Sequence, residues 1–136
     1  MERATTPEPA TTPSSFTAGY ASHDDLPGFA PLPGVAMRLY SGGRAMMNFV
    51  TITAGSEVPW HGHPHEQLGT VLEGEMHLFV GEEGVEPWIL RVGDVYAIPP
   101  HVRHRALTGP DGATVLDVFA PPREDYIAQA TGRTVE

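Results

Sequence analysis

The segment Trp60-His61-Gly62-His63-Pro64-His65-Glu66-Gln67 carries three histidines and a glutamine at alternate positions. In extended chain, alternate side chains project to one side, so His61, His63, His65 and Gln67 converge while Glu66 points away. Imidazole nitrogens and an amide oxygen can together coordinate a borderline divalent cation. The plainer reading is a polar loop in which histidines cluster and Pro64 breaks the strand. A second chemical position is Asp117, within Val115-Leu116-Asp117-Val118-Phe119. Both parities of that run are apolar, so the carboxylate enters an apolar setting whichever way the strand faces. Its pKa must then rise, or it must pair with a cation. A carboxyl so placed is a candidate general acid/base. The alternative is a structural aspartate paired with Arg123 or Arg105, or one that caps a turn.

Positioning these groups requires strands. Val35 to Tyr40 and Ala45 to Thr53 read as strands flanking a Ser41-Gly42-Gly43 turn. In the second, Met46, Asn48, Val50 and Ile52 share one face, and Met47, Phe49 and Thr51 the other. Both faces are mostly apolar, which places the strand inside a sandwich or barrel. Gln67 to Leu72 and Met76 to Val80 form a hairpin about Glu73-Gly74-Glu75. Pro87 to Arg91 and Val95 to Ile98 are short strands. His104 to Thr108 and Thr114 to Ala120 flank a Gly109-Pro110-Asp111-Gly112 turn, and Arg123 to Gln129 reads as a short C-terminal helix. Residues 1–30 read as a flexible N-terminal arm and a Pro-punctuated connector, 31–125 as one domain, and 126–136 as a tail. The fold class is all-β.

Composition narrows the chemistry. The 136 residues carry a formal charge of −9, which argues against nucleic acid and anionic membranes as partners. There is no Cys, so disulfides and thiolate catalysis are excluded. All eight basic residues are Arg, so Schiff-base lysine chemistry is excluded as well. With no long apolar run, the chain reads as soluble and cytoplasmic.

Two spaced patterns resemble a known family. Gly55, His61-Gly62-His63, Gln67 and Gly74 look like the first cupin motif, with Gln67 where Glu is usual. Gly93, Pro99, His101 and His104 look like the second, with His101 where Gly is usual. The resemblance implies a small jelly-roll barrel holding one divalent ion through His61, His63, Gln67 and His104, and a homodimer, as cupins commonly form. His65 stands behind these ligands, and His101 lines the barrel mouth. Three imidazoles and a neutral amide leave the ion's charge nearly whole, which favours Lewis-acid work with zinc, or with nickel or manganese, over oxygen activation at iron. The run from Leu116 to Tyr126, with the histidine segment, is similar to the cupins of pectin and alginate breakdown that open 4,5-unsaturated uronate rings. That resemblance gives Asp117, Phe119 and Arg123 places in the active site; Arg123 suits a uronate carboxylate. Tyr96 and Phe119 then shape a substrate pocket. Met47 and Phe49, on expected inner faces, would equally suit an aromatic ligand, so cyclisation of an aromatic polyketide is the alternative. A dioxygenase and a non-catalytic small-molecule-binding protein are the other two.

Overall fold

The computed structural model describes residues 17–132. In chain order the strands are β1 (Gly28–Leu32), β2 (Val35–Ser41), β3 (Met46–Ile52), β4 (Glu57–His61), β5 (Glu66–Val80), β6 (Trp88–Arg91), β7 (Val95–Ile98) and β8 (His104–Ala120), followed by helix α1 (Glu124–Thr131). All pairings are antiparallel.

The two long strands β5 and β8 are the spine, because each belongs to both layers of the jelly roll. One layer runs β1-β2-β3, then residues 113–120 of β8, residues 66–74 of β5, and β7. The other runs β4, residues 104–108 of β8, residues 76–80 of β5, and β6. Between them lies a core of Val35, Leu39, Met46, Val50, Val71, Ile98 and Val115, each at most 3% exposed. Burying a side chain of this kind contributes about 1.5–3 kcal/mol.

Both turns expected within the spine are instead corners of continuous strands. At Glu73-Gly74-Glu75 and Gly109-Pro110-Asp111-Gly112 the chain bends without reversing, and four residues of β8 stand opposite the single Glu75. Gly74 and Gly112 both lie at positive φ (74° and 72°) and pack together; a Cβ on Gly74 would collide with the Gly112 carbonyl. Bulges of this kind let a strand pass from one sheet to the other without losing its partner.

The N-terminal boundary also moves. Residues 28–32, expected in a connector, pair with β2 as an edge strand, where Pro31 is tolerated because one side of the strand has no ladder to lose. Residues 1–16 of the expected arm lie outside the described residues. A short 3-10 turn at His23–Asp25 docks on the body, its His23 ring 5.1 Å edge-on from Phe49. The helix crosses the expected boundary at residue 125 and buries Ile127 and Ala128. Glu124 and Asp125 suit its first turn, and Gly132 ends it in the left-handed conformation.

Strand β3 has one buried face, not two. Met46, Asn48, Val50 and Ile52 point inward, whereas Met47 is 36% exposed.

Candidate metal centre and active site

Strand pairing brings the histidines together. His61 at the end of β4 stands in register with His104 at the start of β8, and their rings are 4.2 Å apart. His63 lies on the link between β4 and β5, its ring 5.1 Å from that of His104. Nitrogen atoms of His61, His63 and His104 all lie within 4.8 Å of one another. Gln67, just inside β5, turns its Oε1 to 3.0 Å from His63 Nε2.

The backbone orients each ring. Nδ1 of His61, His63 and His104 donates to the carbonyls of Pro59 (2.9 Å), His65 (3.1 Å) and Val102 (3.0 Å). A proton held on Nδ1 leaves Nε2 as the lone-pair nitrogen, the arrangement that metal-binding histidines adopt. His104 Nε2 is buried without a partner, and the lone pairs of His63 Nε2 and Gln67 Oε1 face each other. A divalent cation held by His61, His63, Gln67 and His104 would satisfy these atoms. Burial, reinforced for His63 by Arg123 and for His104 by His61, pushes both imidazoles down to about 4. Burial also lowers His61. The rings are therefore neutral at neutral pH, as metal ligation requires. The residues present fit a divalent ion.

The acid/base candidate is adjacent. Asp117 faces inward from β8 and accepts the Tyr96 hydroxyl at 2.5 Å and a hydrogen bond from the Gln67 amide. Burial pushes it up to about 6, against the downward pull of those two bonds and of Arg123. Its partners are thus Tyr96 and Gln67; Arg105 pairs instead with Glu57 at 2.8 Å. Phe119, two residues on, sets its buried ring edge-on to His63 at 5.4 Å. Arg123 is buried rather than superficial. It lies 3.7 Å over the Tyr126 ring and holds Asp125 through Nε and Nη2, while Nη1 is buried and unpartnered. His61, Gln67, Tyr96, His104, Asp117 and Phe119 all line one cavity of about 50 Å³.

Three expected pocket residues lie elsewhere. Met47 and Phe49 occupy the outer parity of β3, since Asn48 and Val50 take the inner one. His101, at φ 68°, is exposed; its backbone N–H donates to His63 O at 2.7 Å and braces the ligand loop. His65 keeps a buried, unpartnered Nδ1 beside Phe119 and His63. Two polar cavity residues are not site candidates from the sequence, Asn48 and Tyr126. Tyr126 gives no pattern signal, because α1 brings it in from outside the barrel. Asn48 does give one, as the lone polar residue on the apolar parity of its strand.

No helix among the described residues is long and apolar enough to cross a membrane. No curated protein matches the chain by sequence. Among solved structures, an RmlC-like cupin from Shewanella frigidimarina NCIMB 400 is similar at 29% identity and TM-score 0.72, over 82% of this chain and 97% of that one. KdgF from Halomonas sp. is similar at 26% identity and TM-score 0.71, over 80% of this chain and 98% of that one. Hydroxypropylphosphonic acid epoxidase from S. wedmorenis shares the fold at 18% identity and TM-score 0.64, over 72% of this chain and 56% of that one. The family described as "Cupin domain" matches residues 48–119, from the inward face of β3 to the phenylalanine beside the histidines. With more than half its length matched and its imidazoles gathered inside a jelly roll, the chain belongs to the cupin family.

Proposed function

We propose that the protein is a metal-dependent enzyme that opens a small oxygen-rich ring without redox change, with a 4,5-unsaturated uronate as substrate. The observation that carries this reading is Asp117: a buried carboxyl, raised to about 6, on the wall of the cavity that holds the imidazole cluster. A divalent ion bound by His61, His63, Gln67 and His104, zinc in the first instance, would supply a Lewis acid for a substrate oxygen. Opening an unsaturated uronate breaks the bond between C1 and the ring oxygen, removes the C1 hydroxyl proton and returns one to C4, so the reaction is an isomerisation. Asp117 is placed to accept and return that proton, and a pKa near the working pH suits both halves of the exchange. The Tyr96 hydroxyl holds the carboxyl in place. Arg123 does not line the cavity but stacks on Phe119 and Tyr126, which do; its unpartnered Nη1 would become a charged donor to the uronate carboxylate where those rings make way for the substrate. The resemblance to uronate-opening cupins and the likeness to KdgF support the substrate class.

The apolar wall of Met37, Val50, Met76, Leu78 and Ala106 would also suit an aromatic polyketide, so a cyclase is the second reading. Among the described residues no carboxylate joins the imidazole cluster, and Glu66 is exposed, so the donor set is not the 2-His-1-carboxylate set of iron oxygenases.

The test is metal-loaded protein on the unsaturated uronate, following loss of the ultraviolet absorption of its conjugated double bond. Turnover is expected; none by wild-type protein sinks the reading. Arg123→Ala should raise KM about 10–100-fold, the range for a hydrogen bond to a charged group, and leave kcat nearly unchanged. An unchanged KM would remove the orienting role.

We also propose that two copies pair through the outer face of the first layer. There Met47, Leu68 and Val95 are 36%, 48% and 76% exposed, and strand register joins them through Leu116, Val118 and Ala97. Monomeric proteins rarely leave such a patch bare. Sedimentation should return a dimer that Leu68→Arg dissociates; a monomeric wild type would contradict the pairing.

A further inference from the structure

Asn48 is fully buried, at 0% exposure, with neither its amide oxygen nor its amide nitrogen hydrogen-bonded. It sits mid-strand in β3, opposite Asp117 in register, and lines the same cavity. Its other neighbours on the cavity wall include Met37, Val50, Met76 and Leu78, none of which can satisfy an amide. Buried polar groups are nearly always paired, and removing both the donor and the acceptor in favour of an apolar group is commonly neutral or stabilising. A side chain of similar size without polar atoms would therefore serve the fold better, and what an amide adds here is recognition.

We propose that Asn48 is a substrate-binding residue that sets specificity, donating to and accepting from one ring hydroxyl of the ligand from its place beside Asp117 on the same sheet. A hydroxyl is the smallest group that satisfies both halves of the amide at once. A cavity of about 50 Å³ has room for roughly three to five water-sized groups, enough for one ring hydroxyl at the amide. Pairing on β3 fixes Asn48 relative to Asp117, so the contact also sets which carbon of the ring faces the carboxyl. This proposal rests on the functional reading above and names the contact that selects the substrate.

The experiment compares metal-loaded wild type, Asn48→Leu and Asn48→Ala on the unsaturated uronate and on analogues that each lack one ring hydroxyl. Wild type should disfavour one of these analogues by at least about 100-fold in kcat/KM, as expected when a buried polar group loses its ligand partner. Asn48→Leu should melt no lower than wild type, lose about 100-fold on the full substrate, and treat that analogue and the full substrate alike. Asn48→Ala should show the same loss of preference even if its smaller side chain lowers the melting temperature. Unchanged preference in both variants, with wild-type turnover intact, overturns the role of Asn48 and leaves the ring-opening activity standing. So does a melting temperature that falls in Asn48→Leu with preference intact, which would make the amide structural. Wild-type protein that neither binds nor opens the uronate overturns the functional reading and this contact with it.

Discussion

Asp117→Asn is expected to lower kcat by about 10²–10⁴-fold, the range for losing a positioned proton-transfer group, with metal content and melting temperature unchanged. The carboxamide has the same shape, and its oxygen can still accept the Tyr96 hydroxyl that the native carboxyl accepts. What it cannot do is carry a proton. The contrast with Asp117→Ala separates two roles. Gln67 is shared, since its amide donates to Asp117 while its oxygen faces His63. Removing the carboxyl altogether frees that amide to turn and should weaken the metal about 10–100-fold, the usual effect of losing a group that orients a ligand. Wild-type rates in Asp117→Asn would end the acid/base assignment. Loss of metal in that variant would show that Asp117 serves only to orient Gln67. Enzyme rates and bound metal measured on one preparation decide between them.

His104→Ala should lose the metal outright. His104 Nε2 is a buried nitrogen with no protein partner, and its ring stands against both His61 and His63. We expect affinity to fall by more than about 100-fold, beyond the effect of residues that only support a ligand. The variant should also lose the rise in melting temperature that metal gives wild type, because a ligand bound to the native state stabilises it by mass action. His101→Ala is the matched control. Its side chain is exposed and its bracing contact to His63 is made by the backbone, so it should keep the metal. Retention by His104→Ala under dialysis, or equal loss in both variants, would contradict the assigned ligand set.

Much of this site could be read before any coordinates, for a local reason. His61, His63 and Gln67 lie within seven residues, and extended geometry alone puts them on one side. Asp117 was legible because a charge between apolar neighbours on both parities has no wet side to turn to. The failures were non-local. Nothing within Met46–Ile52 tells which of two apolar parities faces in; that is set by pairing with β2 and β8, and it put Met47 and Phe49 outside. The glycines at 74 and 112 carried the correct sign of a bend but not its kind. Turn and corner use the same positive φ, and only the partner strand bending at the same place keeps the ladder whole. Edge strand β1 was hidden by its proline, Pro31, which breaks a central strand but not an outer one. Asn48 was visible as a polar residue on an apolar face. Its missing partners are a property of the folded cavity, not of the strand.

The most direct measurement is elemental analysis of the purified wild-type protein, before and after loading with divalent ions, with X-ray absorption on the loaded form. One ion per chain is expected, with three imidazole nitrogens and an amide oxygen among its ligands. Protein that holds no stoichiometric metal and takes up none, or holds one without histidine ligation, would contradict the centre assigned to His61, His63, Gln67 and His104.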